Sequence, residues 1–247
     1  MAEREVRQRY VGSALGLAWA ALNPLIFVVF YTAIFTFVFG GRLSPNAPAS
    51  QYALYVVSGL LPWVAFAEVA GKSPQVMAEN RSLVKYAVFP LQILPLTSLY
   101  ATALTQLVGL SLLMLIAGVA RGGLAPSVLL LLLVVPLQLL FLAGVAWLLG
   151  AVGAVLRDVK ELVTLVLMVG MFLTPIFYVE RDVPATLRTV IALNPMTHLL
   201  HLYRDALLGV GLVHPVSLAI FGAVAFLTFL AGFLVFERTR VFLSDLL

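Results

Sequence analysis

The sequence predicts an all-α integral membrane protein with six transmembrane helices per subunit. Of its 247 residues, 62% are hydrophobic and only 11% charged, whereas soluble domains carry roughly 25% charged residues. The mean hydropathy is +1.08, and several apolar runs approach or exceed the ~18 residues that mark a spanning helix. The few charges fall where those runs end. Lipid is therefore the solvent for most of this surface.

The same numbers exclude other classes. No cysteine is present, so disulfides, thiolate metal sites and cysteine nucleophiles are ruled out. A net charge of +4 and a pI near 9.6 suggest nucleic acid at first sight. The positive residues are spread among short loops between apolar spans, a pattern of membrane orientation, so no nucleic-acid partner is expected.

Residues 1–18 alternate charges with Val6, Tyr10 and Leu17, compatible with an amphipathic helix lying on the membrane surface. The apolar run that follows exceeds a secretory h-region, so no cleaved leader is expected. Spans are predicted at residues 19–39, 52–70, 94–120, 126–156, 162–178 and 216–236, since a crossing needs about 20 residues at 1.5 Å each. Pro136 is placed to kink the fourth. Between the fourth and fifth, Arg157-Asp158-Val159-Lys160-Glu161 interrupts a long apolar stretch. Four charges at the bilayer centre would cost on the order of 10 kcal/mol. This segment must be a turn in water.

With six spans, ten Lys and Arg residues fall on one side and five on the other. The positive-inside rule then predicts a multi-pass protein with both termini cytoplasmic. Residues 72–90 form the longest cytoplasmic loop. Ser73-Pro74 supplies an N-cap with proline at the first helical position, and Phe89-Pro90 supplies a stop. The outer segment 180–214 is apolar, but Asn194-Pro195 breaks it into pieces too short to span. Two short re-entrant helices are expected within residues 183–212, dipping into the outer leaflet or lying on it.

Candidate chemistry is sparse. Gly71-Lys72-Ser73 resembles the end of a phosphate-binding loop, yet the position five residues before Gly71 is Phe66 and an apolar helix precedes it. It reads as a helix end. His198, His201 and Asp205 stand at i, i+3 and i+7 on one face, admissible for a metal by spacing. The plainer expectation is no metal, with these groups on the wet face of an outer helix and Arg204 and Asp205 near the headgroups. Glu68, an intramembrane acid, lies one turn from Lys72, where an ion pair is favoured over a proton relay. The aromatic first and fifth spans offer Tyr31, Phe35, Phe172 and Tyr178 as channel-lining candidates, against lipid contact as the ordinary role. Gly12-x-x-x-Gly16, Ala146-x-x-x-Gly150 and Gly150-x-x-x-Ala154 permit close helix packing.

An ordered set of motifs spans the chain. It comprises the run from Arg9 to Pro24, Gly59-Leu-Leu-Pro-Trp63, Glu79-Asn-Arg-Ser-Leu-Val-Lys85 and Phe89-Pro90 with Ile93-Leu-Pro95. Arg157-Asp158-Val159, Leu193-Asn-Pro-Met-Thr197 and Tyr203-Arg-Asp-Ala-Leu-Leu-Gly209 complete it. Together these resemble the membrane subunit of bacterial type-2 ABC exporters for polysaccharides, the O-antigen and teichoic acid permeases. The resemblance implies a homodimer in the inner membrane, paired with two copies of a separate ATPase that binds ATP and magnesium. No cofactor or catalytic residue is then expected in this chain. It further implies that residues 73–87 act as a coupling helix through Glu79, Asn80, Leu83 and Lys85. Arg4, Arg7 and Arg9 would form a gate near the lipid-linked headgroup. The outer segment, with Asn194, Pro195, His198, His201 and Arg204, would cap a path lined mainly by spans one and five. The implied load is a lipid-linked polysaccharide of O-antigen type. Teichoic acid, capsule, and small-lipid or drug export within the same superfamily are alternatives, as is an intramembrane metal-dependent enzyme built on His198, His201 and Asp205.

Overall fold

A computed structural model describes residues 49–80, 90–156, 158–209 and 211–246, with isolated positions between 22 and 34. The described residues are helical, with no strand. Four stretches among them are long and apolar enough to cross a membrane, namely Gln51–Glu79, Ile93–Gly118, Pro126–Val155 and Pro215–Arg240. The predicted amphipathic helix at 1–18 lies outside the described residues. So does most of the first predicted span, where Leu22, Ile26, Val29, Phe30 and Ala33 are helical.

Helix α1 covers Ala49–Lys72, about 36 Å at 1.5 Å per residue. Pro62 lies inside it and removes one backbone donor. Past Lys72 the chain tightens into a 3-10 turn, Ser73–Gln75, and continues as the short helix α2, Val76–Glu79. Ser73 Oγ bonds back to the Val69 carbonyl at 2.6 Å. Asn80 ends α2, its Nδ2 donating to the Val76 carbonyl at 2.8 Å. The predicted 73–87 helix is thus seen as far as Glu79, and residues 81–89 lie outside the described residues.

Helix α3 covers Ile93–Arg121. Gly122 closes it with a φ of 74°, a conformation that favours glycine, and Gly123 N bonds to the Gly118 carbonyl at 2.8 Å. That 6→1 bond is the signature of a Schellman end. A 3-10 turn at Pro126–Leu130 leads into α4, Leu131–Val155. The chain leaves helical geometry at Leu156 and re-enters it at Val159, inside the charged segment read as a turn.

Helix α5 covers Val159–Leu173, 15 residues. The sequence reading put a fifth span at 162–178. The helix begins three residues earlier, and 174–178 form turns. Proline is the reason. Pro175 cannot donate an amide to the ladder and disfavours helical geometry at Thr174. Thr174 is extended, and its Oγ1 caps the Gly170 carbonyl at 2.8 Å. At about 22 Å, α5 alone falls short of the hydrocarbon thickness.

A 3-10 turn at Glu180–Asp182, then α6 (Ala185–Leu193) and α7 (Pro195–Leu207), make up the segment expected from the sequence on the outer side. The last helix, α8, covers Pro215–Leu246. Its principal partner is α4, crossed at two glycines. A Cβ on Gly144 would overlap the backbone of Thr228 and Phe229, and one on Gly232 would overlap the backbone of Gly144. Gly153 meets Pro74 in the same manner. The small-residue pattern at Ala146, Gly150 and Ala154 therefore packs within the subunit, Gly150 facing Pro95 and Ser73.

Aromatic rings knit the core. Trp63, Phe66, Phe141 and Phe221 follow one another at centroid distances of 5.5, 5.9 and 5.6 Å, joining α1, α4 and α8. At the end bearing Lys72, Gln92 Nε2 donates to Glu237 at 2.7 Å and Trp147 Nε1 donates to the Gln92 carbonyl at 2.9 Å. At the opposite end, Tyr52 and Tyr55 donate to the carbonyls of Phe177 and Tyr178 at 2.8 and 2.9 Å.

Candidate functional site

Asn194-Pro195 builds the entry to α7. Asn194 Oδ1 accepts from Met196 N at 2.9 Å, an N-cap with proline at the first helical position. Its Nδ2 donates to Thr174 Oγ1 at 2.8 Å, so one side chain ties the end of α5 to the start of α7. The two outer helices then diverge in environment. Most of α6 is exposed, whereas every residue from Met196 to Leu200 and from Leu202 to Leu207 is buried. α7 wedges between α1, α4, α8 and the Pro126–Leu130 turn. Protein supplies the partners that lipid cannot, so a broken backbone is tolerated among the apolar helices here.

Arg204 corrects the sequence reading. It was expected near the headgroups, but it is 5% exposed. Its guanidinium lies 3.5 Å above the Tyr55 ring and donates to the carbonyls of Pro175 and Ile176. The break after α5 exposes carbonyls that no helix can satisfy, and Arg204 satisfies them. Asp205, expected on the same wet surface, is 1% exposed. It accepts from the amides of Val213 and His214 at 2.9 and 2.8 Å and from His214 Nδ1 at 2.8 Å. Its carboxylate is thereby spent on shaping the loop before α8.

Below Arg204 lies a polar group that the sequence reading missed. Gln106 Nε2 donates to Gln138 Oε1 and to the Tyr203 hydroxyl at 2.7 Å each. Tyr203 also bonds to Gln138 Oε1, and Gln138 Nε2 reaches the Pro62 carbonyl at 3.3 Å. This joins α3, α4, α7 and the proline of α1 at one buried point. Two glutamines inside apolar spans were the available signal, because polar groups in a membrane span demand partners.

His198 and His201 share Ser217 Oγ, each through Nδ1 at 3.1 Å. His198 Nε2 faces the Ala192 carbonyl at 2.9 Å, and His201 Nε2 meets Glu180. The His201 and His214 rings stack at 4.4 Å. Burial would raise the Glu180 carboxyl, but the His201 hydrogen bond and charge, with Arg204 and His214, hold it below the usual carboxylate range. Burial pushes His198 down, favouring its neutral form. Among the described residues no three His, Asp or Glu side chains gather as a metal site. The i, i+3, i+7 face does not act as a unit, because Asp205 turns to the 213–214 loop.

Residues 1–208 match the family model described as ABC-2 type transporter. The chain belongs to that family. It is 33% identical, over 83% of its length and 77% of the relative's, to the O-antigen export system permease protein RfbA of Myxococcus xanthus. It is 26% identical to the protein of that name from Klebsiella pneumoniae, over 99% and 92% of the two chains. The polysialic acid transport protein KpsM of Escherichia coli is 22% identical, over 96% and 90%.

The remaining candidates of this ABC-2 chain are scattered. Glu79 is exposed at the end of α2 and Asn80 caps that helix, while Leu83 and Lys85 lie outside the described residues. So do Arg4, Arg7, Arg9, Tyr31 and Phe35. Phe172 is 68% exposed on α5, and the Tyr178 hydroxyl donates to its carbonyl at 3.1 Å. Glu68 and Lys72 pair at 3.0 Å, and Glu68 also accepts from Thr102 on α3 at 2.9 Å.

Proposed function

We propose that this chain is the permease subunit of an ATP-driven exporter that moves a lipid-linked polysaccharide of O-antigen type across the bacterial inner membrane. The observation that carries the reading is the near full-length similarity to permeases named for O-antigen export and polysialic acid transport. Two copies pair with two copies of a separate ATPase, which holds ATP and magnesium and performs hydrolysis. Residues 73–87 dock on that ATPase through Glu79, Asn80, Leu83 and Lys85. The termini face the cytoplasm, where Arg4, Arg7 and Arg9 pair with the diphosphate of the lipid carrier by charge-assisted hydrogen bonds.

The glycan path runs along spans one and five, past Tyr31, Phe35, Phe172 and Tyr178. Two properties of α5 support this. Leu165, Val166, Met168 and Phe172 expose an apolar flank free of charge, and the helix ends short beside the re-entrant pair. The buried α7 and exposed α6 then close the outer end. Deleting the gene tests the reading. Surface glycan is expected to disappear while its lipid-linked form accumulates inside, both reversed by the wild-type chain. Unchanged surface glycan in the deletion strain contradicts it.

A further inference from the structure

The chain contains three histidines, and the fold gathers all three at the outer end. His198 and His201 come from α7, His214 from the loop before α8, with Ser217 in the first turn of α8 and Glu180 in the turn after α5. Their hydrogen-bond partners determine how many protons the group holds. The Ala192 carbonyl only accepts, so His198 Nε2 carries a hydrogen. The ionised Glu180 carboxylate only accepts, so His201 Nε2 carries one as well. Ser217 Oγ stands 3.1 Å from both Nδ1 atoms and has a single O–H. It can donate to one ring. The other ring must donate to it.

Burial disfavours charge on His198, so its Nδ1 accepts from Ser217. His201 then donates through both nitrogens, to Ser217 and to Glu180, as an imidazolium paired with a carboxylate. His214 Nδ1 donates to Asp205, and its ring lies nearly parallel to that of His201 at 21° and 4.4 Å. A second proton on that ring would set two cations face to face. The capacity is one.

We infer that His198, His201 and His214, with Ser217 and Glu180, form a site that binds one proton, and that this proton fastens the outer turn to α7 and α8. Removing it leaves a His201 lone pair facing either the Ser217 oxygen or the Glu180 carboxylate. One of the two ties breaks in either case. The other charged or titratable groups packed around α7 are Arg181 and Asp182 on the 3-10 turn, Arg188 on α6, Arg204 and Asp205 on α7 itself, Tyr55 on α1 and Tyr178 after α5. Arg188 turns away to the carbonyls of Val183 and Arg181. Arg204 and Asp205 are committed to the partners described above. Tyr203 faces the uncharged Gln106 and Gln138 from α3 and α4.

Selective labelling of histidine with nitrogen-15 reads this site alone, because no histidine lies elsewhere. In the purified full chain at pH 7.5, ring nitrogen shifts are expected to show one doubly protonated ring and two neutral rings, one Nε2–H and one Nδ1–H. Three neutral rings at pH 7.5, or two doubly protonated rings, would each overturn the proposal.

Discussion

Arg204 shows how a residue takes its role from a break elsewhere in the chain. Pro175 ends α5, its neighbourhood leaves carbonyls without helical donors, and a guanidinium supplied from α7 answers them from above Tyr55. Arg204→Met strands those carbonyls in a buried site and is expected to cost about 2–4 kcal/mol. Arg204→Lys should recover only part of that, since an ammonium can donate to the carbonyls in place of Nη2 but lacks the planar face that stacks on the Tyr55 ring. Thermal unfolding in detergent checks both, with about 2–4 °C expected per kcal/mol for a chain of this size. A lysine variant that melts with the wild type would remove the stacking role. Helical spacing in the sequence places Arg204 and Asp205 on α7 but says nothing of a carbonyl freed 29 residues earlier. For that reason both were expected in water and are found in the core. The Glu68–Lys72 pair needed no such distant partner, and its i, i+4 spacing made it legible.

At the scale of elements, the close approach of α4 and α8 depends on the absence of two side chains. Gly144→Ala would place a methyl group against the backbone of α8, where no rotamer change relieves it. A loss of about 1–3 kcal/mol or more is expected, read as a lowered melting temperature and reduced membrane yield. Gly222→Ala, at a glycine with open space around it, is the matched control and should be neutral. Equal effects at both glycines would contradict the crossing. Small-xxx-small spacing found Ala146 and Gly150, yet it pairs residues within one helix and is blind to which helix lies opposite. The tightest contacts, Gly144 with α8 and Gly153 with Pro74, were missed for that reason. The end of α5 was misplaced because residues 174–178 are as apolar as a span. Hydropathy outweighed the proline that stops the helix.

At the scale of the whole molecule, low charge and long apolar runs made the all-helical membrane class legible, and the charged segment 157–161 marked the break before α5, although Lys160 and Glu161 lie in the first turn of that helix. Asn194-Pro195 likewise marked the break that starts α7. The depth of α7 was not legible, since its burial rests on Tyr203, Gln106 and Gln138, which lie far apart in sequence and meet only in the folded chain. The described helices form a bundle with a helix pair at one end, one member exposed and one wedged among the long apolar helices. The proposed activity asks that bundle to pass a lipid-linked glycan when ATP is spent on the opposite side. Inverted membrane vesicles carrying this chain and its ATPase measure that directly, through the protection of added lipid-linked glycan from an external glycosidase. Protection should grow with ATP and vanish when the chain is omitted. Glycan equally digestible with and without ATP would contradict the account.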